Sequence, residues 1–114
     1  MTGPAPLSDE ALFERFQGGD LAAFDELYAR YEGPVFGFVL RFLGGGGEAE
    51  DVLHETFLGV LRGRREPGSL RAWLFQVARH LCLNRRRSQR RAARAIETAR
   101  DEEAAAPAAQ AALE

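Results

Sequence analysis

The stretch from Ser69 to Arg94, SLRAWLFQVARHLCLNRRRSQRRAAR, constrains the fold most. It contains neither Gly nor Pro, so a single continuous helix fits it. Leu70, Trp73, Leu74, Val77 and Leu81 recur at helical spacing, which gives its first half an apolar stripe that must pack on a core. Arg85, Arg86, Arg87, Arg90, Arg91 and Arg94 follow as a cationic rod. A helix anchored at one end and cationic at the other points to a large anion, and nucleic acid is the natural candidate.

The formal net charge of the whole chain, -2, conceals this. Residues 1–60 carry three Arg against eleven acids, net -8; residues 61–94 carry eleven Arg against Glu66 alone, net +10; residues 95–114 carry Arg100 against five acids, net -4. Such segregation implies two electrostatically different surfaces, with room for two partners. All fifteen basic residues are Arg. Arginine suits phosphate through its planar fork, although the lack of Lys also fits a bias in genome composition. The lone Cys82 excludes an internal disulfide, and the start MTGPAPLSDE has no basic, apolar secretion signal. A cytoplasmic location is therefore expected, with no membrane insertion.

With 114 residues, one small domain plus tails is expected. Residues 1–7, with Pro4 and Pro6, read as a disordered lead. Ser8 is a good cap for a first helix to Gln17, burying Leu12, Phe13 and Phe16. Asp20 caps a second helix with Phe24, Leu27, Tyr28 and Tyr31 on its stripe, and Gly33-Pro34 breaks it. A third helix, apolar nearly all round from Val35 to Leu43, is the expected centre of the core. After the turn at Gly44–Gly47, a fourth helix runs from about Glu48 to Arg62, with Val52, Leu53, Thr56, Phe57, Val60 and Leu61 as its buried stripe. The loop 63–68 and the long helix capped by Ser69 complete a domain over 8–95. Residues 96–114, acidic then Ala-rich and interrupted by Pro107, read as a linker or tail. No period-two alternation occurs, so the fold class is all-α: a compact bundle of four to five helices with a long C-terminal basic helix.

Two features stand outside the core pattern. The fourth helix turns Asp51, His54, Glu55, Leu58 and Arg62 to its polar side, and Leu58 is either a contact point or a stray apolar residue. The cationic helix is open to DNA, RNA, an acidic protein or a membrane surface; the last is disfavoured because the segment after Leu83 has no apolar face. Enzyme chemistry cannot be assembled. His54-Glu55 lacks the second His of a zinc-protease motif, because position 58 is Leu, and His80 and Cys82 diverge around the helix. Neither a metal nor a cofactor is expected.

The run Asp51-Val-Leu-His-Glu-Thr-Phe-Leu, followed by a loop and Leu70-Arg-Ala-Trp-Leu-Phe-Gln-Val-Ala-Arg-His-Leu, resembles region 2 of bacterial sigma factors of the small extracytoplasmic-function type. Gly19-Asp-Leu-Ala-Ala-Phe-Asp-Glu-Leu-Tyr-Ala-Arg-Tyr resembles the same family upstream, and the resemblance covers roughly residues 10–95. It implies that Asp51, His54, Glu55, Leu58 and Arg62 dock on the clamp helices of core RNA polymerase. It further implies that Arg64, Arg65, Ser69, Arg71, Gln76, Arg79, His80, Leu83, Asn84, Arg86 and Arg87 meet promoter DNA, chiefly the non-template strand of the minus-ten element. An unstacked base would be held in a protein pocket. An anti-sigma factor is a further implied partner.

The chain departs from that family in places. His54 stands where Gln is usual, His80 where Asn is frequent, and the loop lacks the aromatic residue many members carry near Arg64. The second helical domain, which reads the upstream promoter element, is missing; the break in Ala-rich sequence favours a chain cut short over a single-domain variant. An alternative is an interaction module that binds polymerase or an anti-sigma factor without promoter selectivity.

Overall fold

A computed structural model describes residues 6–45, 47–62 and 68–113, with side chains as far as residue 105. Among these the chain forms four helices and no strand: α1 (Asp9–Gln17), α2 (Leu21–Leu43), α3 (Glu48–Arg62) and α4 (Leu70–Leu113). The chain divides into two compact units, and the boundary falls inside α4 between Cys82 and Leu83.

Local capping chemistry fixes where the helices begin. The Ser8 hydroxyl accepts the Ala11 N–H at 3.1 Å and the Asp20 carboxylate accepts the Ala22 N–H at 3.1 Å, each satisfying a donor that the first helical turn leaves open. Gly44 closes α2 in the left-handed conformation, φ 75°, where a side chain would be strained.

Gly33-Pro34 does not break the chain into two helices as its sequence suggests; Pro34 lies inside a single 23-residue α2. The reason is burial. Leu27, Tyr31, Val35 and Val39 repeat every four residues and are all buried, the last two completely. An interior proline costs about 3 kcal/mol, while each buried side chain of this size returns about 1.5–3 kcal/mol. Four of them outweigh one proline. The all-round apolar character of 35–43 is only partly used, because Phe36, Phe38, Leu40, Phe42 and Leu43 are half-buried at the edge of the core.

In the first unit the core is built from Leu12 and Phe13 of α1, the α2 stripe, Val52, Leu53, Phe57 and Val60 of α3, and Leu70, Leu74, Ala78 and Cys82 of α4. The α4 stripe thus runs at intervals of four from Leu70, and not through Trp73, Val77 and Leu81, which are half-buried. Cys82 is fully enclosed. Thr56 is buried without penalty, since its hydroxyl donates to the Val52 carbonyl at 2.7 Å.

A polar network ties α1 to α2. Arg30 pairs with the Asp9 carboxylate at 3.0 Å, and the Tyr31 hydroxyl donates to the other Asp9 oxygen. Burial of the phenol, then the Asp9 acceptor, pushes the Tyr31 pKa up to about 12. The folded state therefore holds this proton more tightly than the unfolded chain. The stabilisation is complete below the ordinary phenolic pKa near 10 and is lost as pH rises through about 12. Urea midpoints measured across that window should fall with pH in the parent chain. In Tyr31→Phe this phenolic contribution is gone, and an undiminished fall would assign the effect to other groups.

In the second unit the helix continues to Leu113, where the sequence suggests a linker or tail from residue 96. Alanine supplies intrinsic propensity, and Arg94, Glu97, Arg100 and Glu103 alternate in sign at intervals of three, a spacing that favours the helix.

Candidate functional site

Two faces of the first unit carry the residues singled out in the sequence. On α3, the buried stripe turns Asp51, His54, Leu58 and Arg62 outward, with Glu55 half-buried beside them. Leu58 is 44% exposed, a large apolar side chain among charged and polar neighbours. This arrangement follows from α3's own pattern: once Val52, Leu53, Thr56, Phe57 and Val60 are committed inward, the residues between them have no other direction.

On α4, an open cleft of about 270 Å3 is lined by Trp73, Gln76, Val77, His80 and Leu81. Its volume lies just below the roughly 300–1,000 Å3 of sites for drug-sized ligands, which suits one planar group and not an extended molecule. Gln76 and His80 are exposed and supply hydrogen-bonding groups; Trp73, Val77 and Leu81 are half-buried and supply the apolar wall. Trp73, assigned to the core stripe on spacing, is instead part of this wall. The signal was present in the sequence, since residues 73, 76, 77, 80 and 81 form an i, i+3, i+4, i+7, i+8 face. The Trp73 ring stands edge-on to Phe13 of α1, centroids 6.0 Å apart at 85°.

The basic residues distribute around this helix. Arg71 and Arg79 are exposed, and the Arg71 guanidinium lies over the Phe75 ring at 5.4 Å. Phe75 in turn meets Phe38 of α2 edge-on at 5.6 Å. Ser69 is exposed, and its hydroxyl accepts the Ala72 N–H at 3.3 Å, so it serves as the cap of α4. Arg64 and Arg65 lie outside the described residues. In the second unit Leu83 is half-buried, and Asn84, Arg86 and Arg87 are exposed, as are Arg90, Arg91 and Arg94. His80 faces outward and Cys82 inward, so they cannot share a metal.

Residues 27–92, from within α2 to within α4, match the family described as Sigma-70 region 2. The chain belongs to the sigma-70 region 2 family. That match includes both faces just described and leaves α1 outside it. Among similar proteins is the RNA polymerase sigma factor CarQ of Myxococcus xanthus, 42% identical over 80 residues, which are 68% of this chain and 46% of CarQ. The ECF RNA polymerase sigma factor SigK of Mycobacterium tuberculosis is 38% identical over 95 residues, 78% of this chain and 51% of SigK. The RNA polymerase sigma-H factor of Pseudomonas aeruginosa is 36% identical over 73 residues, 61% of this chain and 38% of that protein. The chain thus spans about half the length, or less, of the sigma factors it matches. Among the described residues no helix is long and apolar enough to cross a membrane.

Proposed function

We propose that this chain is a sigma-factor module that binds core RNA polymerase through α3 and reads the melted minus-ten element through α4. The observation that carries this is the family match, which spans the exposed polar face of α3 and the cleft of α4 together. Asp51, His54, Glu55, Leu58 and Arg62 would meet the clamp helices of the largest polymerase subunit, and an anti-sigma factor would compete for the same region. Leu58 supplies the apolar contact and the charged residues set orientation.

On α4, Trp73 offers a ring and Gln76 and His80 offer hydrogen-bonding edges to one unstacked base of the non-template strand. In the first unit Arg71 and Arg79 would hold sugar and phosphate. Ser69, at the cap of α4, would join them, and the family resemblance adds Arg64 and Arg65, which lie outside the described residues. In the second unit, taken by itself, Leu83, Asn84, Arg86 and Arg87 would be DNA contacts as well. The work is binding: stabilisation of the open state by selective affinity for the separated strand, with no bond made or broken.

The test is binding of the chain to single-stranded DNAs randomised over the minus-ten element, with and without core polymerase. Selection of one short motif, lost on His80→Ala, supports the proposal. Firm polymerase binding without any sequence selection favours an interaction module instead. A separate expectation concerns salt. Arg87→Ala should weaken binding to all sequences alike and lower the slope of log affinity against log salt by about 0.7, the share of one single-strand phosphate contact. An unchanged slope would remove Arg87 from the phosphate-binding set.

A further inference from the structure

The cleft belongs to α4, but its position is set in part by α1. The first turn of a helix leaves several backbone N–H groups without intrahelical partners. In α4 the Ser69 hydroxyl takes the Ala72 N–H, and the Ser69 carbonyl accepts from Trp73 at 3.0 Å. A second cap commonly comes from an acidic residue three places after the serine. That place is Ala72, which has no acceptor. A different donor of this turn, the Leu70 N–H, is taken by the Glu10 carboxylate, sixty residues upstream on α1, at 3.2 Å. The contact is charge-assisted and places a negative group at the positive end of the helix.

Contacts of its neighbours Asp9 and Phe13 hold Glu10 in place. On the preceding residue, Asp9 pairs with Arg30 and accepts the Tyr31 hydroxyl, so the start of α1 is fixed to α2. One turn on from Glu10, Phe13 is 3% exposed and meets Trp73 edge-on. The short helix α1 therefore meets α4 at Leu70 through Glu10 and at the aromatic wall of the cleft through Phe13.

We propose that Glu10 is a positioning residue for the α4 cleft: its carboxylate caps α4 from outside the helix and, with Phe13, sets where Trp73, Gln76 and His80 stand. This rests on the promoter-reading role proposed above for the functional consequence, though the geometric part stands independently of it. Glu10 touches no base; it acts through the backbone of α4.

The experiment uses the full chain, as Glu10→Ala and Glu10→Gln, with two readouts. The first is amide hydrogen exchange at Leu70 together with quenching of Trp73, the only tryptophan. The alanine variant should exchange Leu70 faster by about fivefold, the size expected for loss of one net hydrogen bond, and should expose Trp73 to quencher. The glutamine variant, which keeps an acceptor oxygen but loses the charge, should lie between the parent and alanine in both. The second readout is discrimination between a selected minus-ten strand and a scrambled one. It should fall several-fold in the alanine variant and recover in part in the glutamine variant, with polymerase affinity unchanged in both.

Unchanged Leu70 exchange in Glu10→Ala overturns the proposal, as does a glutamine variant no better than alanine. A loss of polymerase binding in step with DNA discrimination overturns it too, since that reports general loosening of the bundle. If the parent chain itself selects no sequence, the promoter-reading role fails, and the exchange and quenching measurements alone decide the positioning role.

Discussion

Replacing Leu74 with alanine lowers the free energy of unfolding by about 2–5 kcal/mol, the range for truncating a large aliphatic side chain in a packed core. Leu74 is 1% exposed and lines the interior jointly with Phe13, Leu27, Phe57 and Leu70, so α1, α2 and α3 would all lose contacts. Whole domains have only about 5–15 kcal/mol of stability, and a small one sits near the lower end. The variant should therefore melt at least about 8 °C lower, at about 4–8 °C per kcal/mol for a domain of this size. Urea unfolding followed through Trp73 should show a lower midpoint at unchanged slope. Val77→Ala provides the contrast. Val77 is half-buried on the cleft side, and its truncation should cost less than half as much. Equal losses at the two positions would mean that the helix is rotated from the orientation described here.

If α3 docks on core polymerase as proposed, Leu58→Glu should weaken that binding by roughly thirtyfold or more, the effect of removing a contact worth about 2 kcal/mol or greater. Leu58 is 44% exposed on α3, so the change opens no cavity, and glutamate is a good helix former. Stability should stay within about 0.5 kcal/mol of the parent. Binding of isolated single-stranded DNA should also persist, because the cleft residues are all on α4. Polymerase affinity within twofold of the parent would return Leu58 to the status of an incidental exposed side chain and would take the α3 face out of the proposed function.

Much of the helical order was legible because it is local. Ser8, Asp20 and Ser69 are caps by residue type alone, and the pairs Val52-Leu53 and Thr56-Phe57 mark the inner face of α3 without tertiary information. What was not legible depends on neighbours distant in sequence. Pro34 breaks a helix in isolation; it is tolerated because other elements bury Val35 and Val39 around it. Trp73 scores as core on hydrophobicity, yet the stripe that enters the core uses the small Ala78 and Cys82, which allow α4 to approach closely and leave Trp73 at the edge. The link from Glu10 to Leu70 spans sixty residues, and no pattern within either segment announces it. The candidate face on α3 was readable for the same reason as its core face, being its complement.

Because α1 precedes residues 27–92, the stretch that matches the family begins later than the compact unit in which it starts. Trimming an expression clone to residues 27–92 would remove Phe13 from against Trp73 and the carboxylate from the amide of Leu70. Anyone drawing domain limits from likeness alone would cut away a supporting wall and then attribute the resulting weakness to the part that was kept.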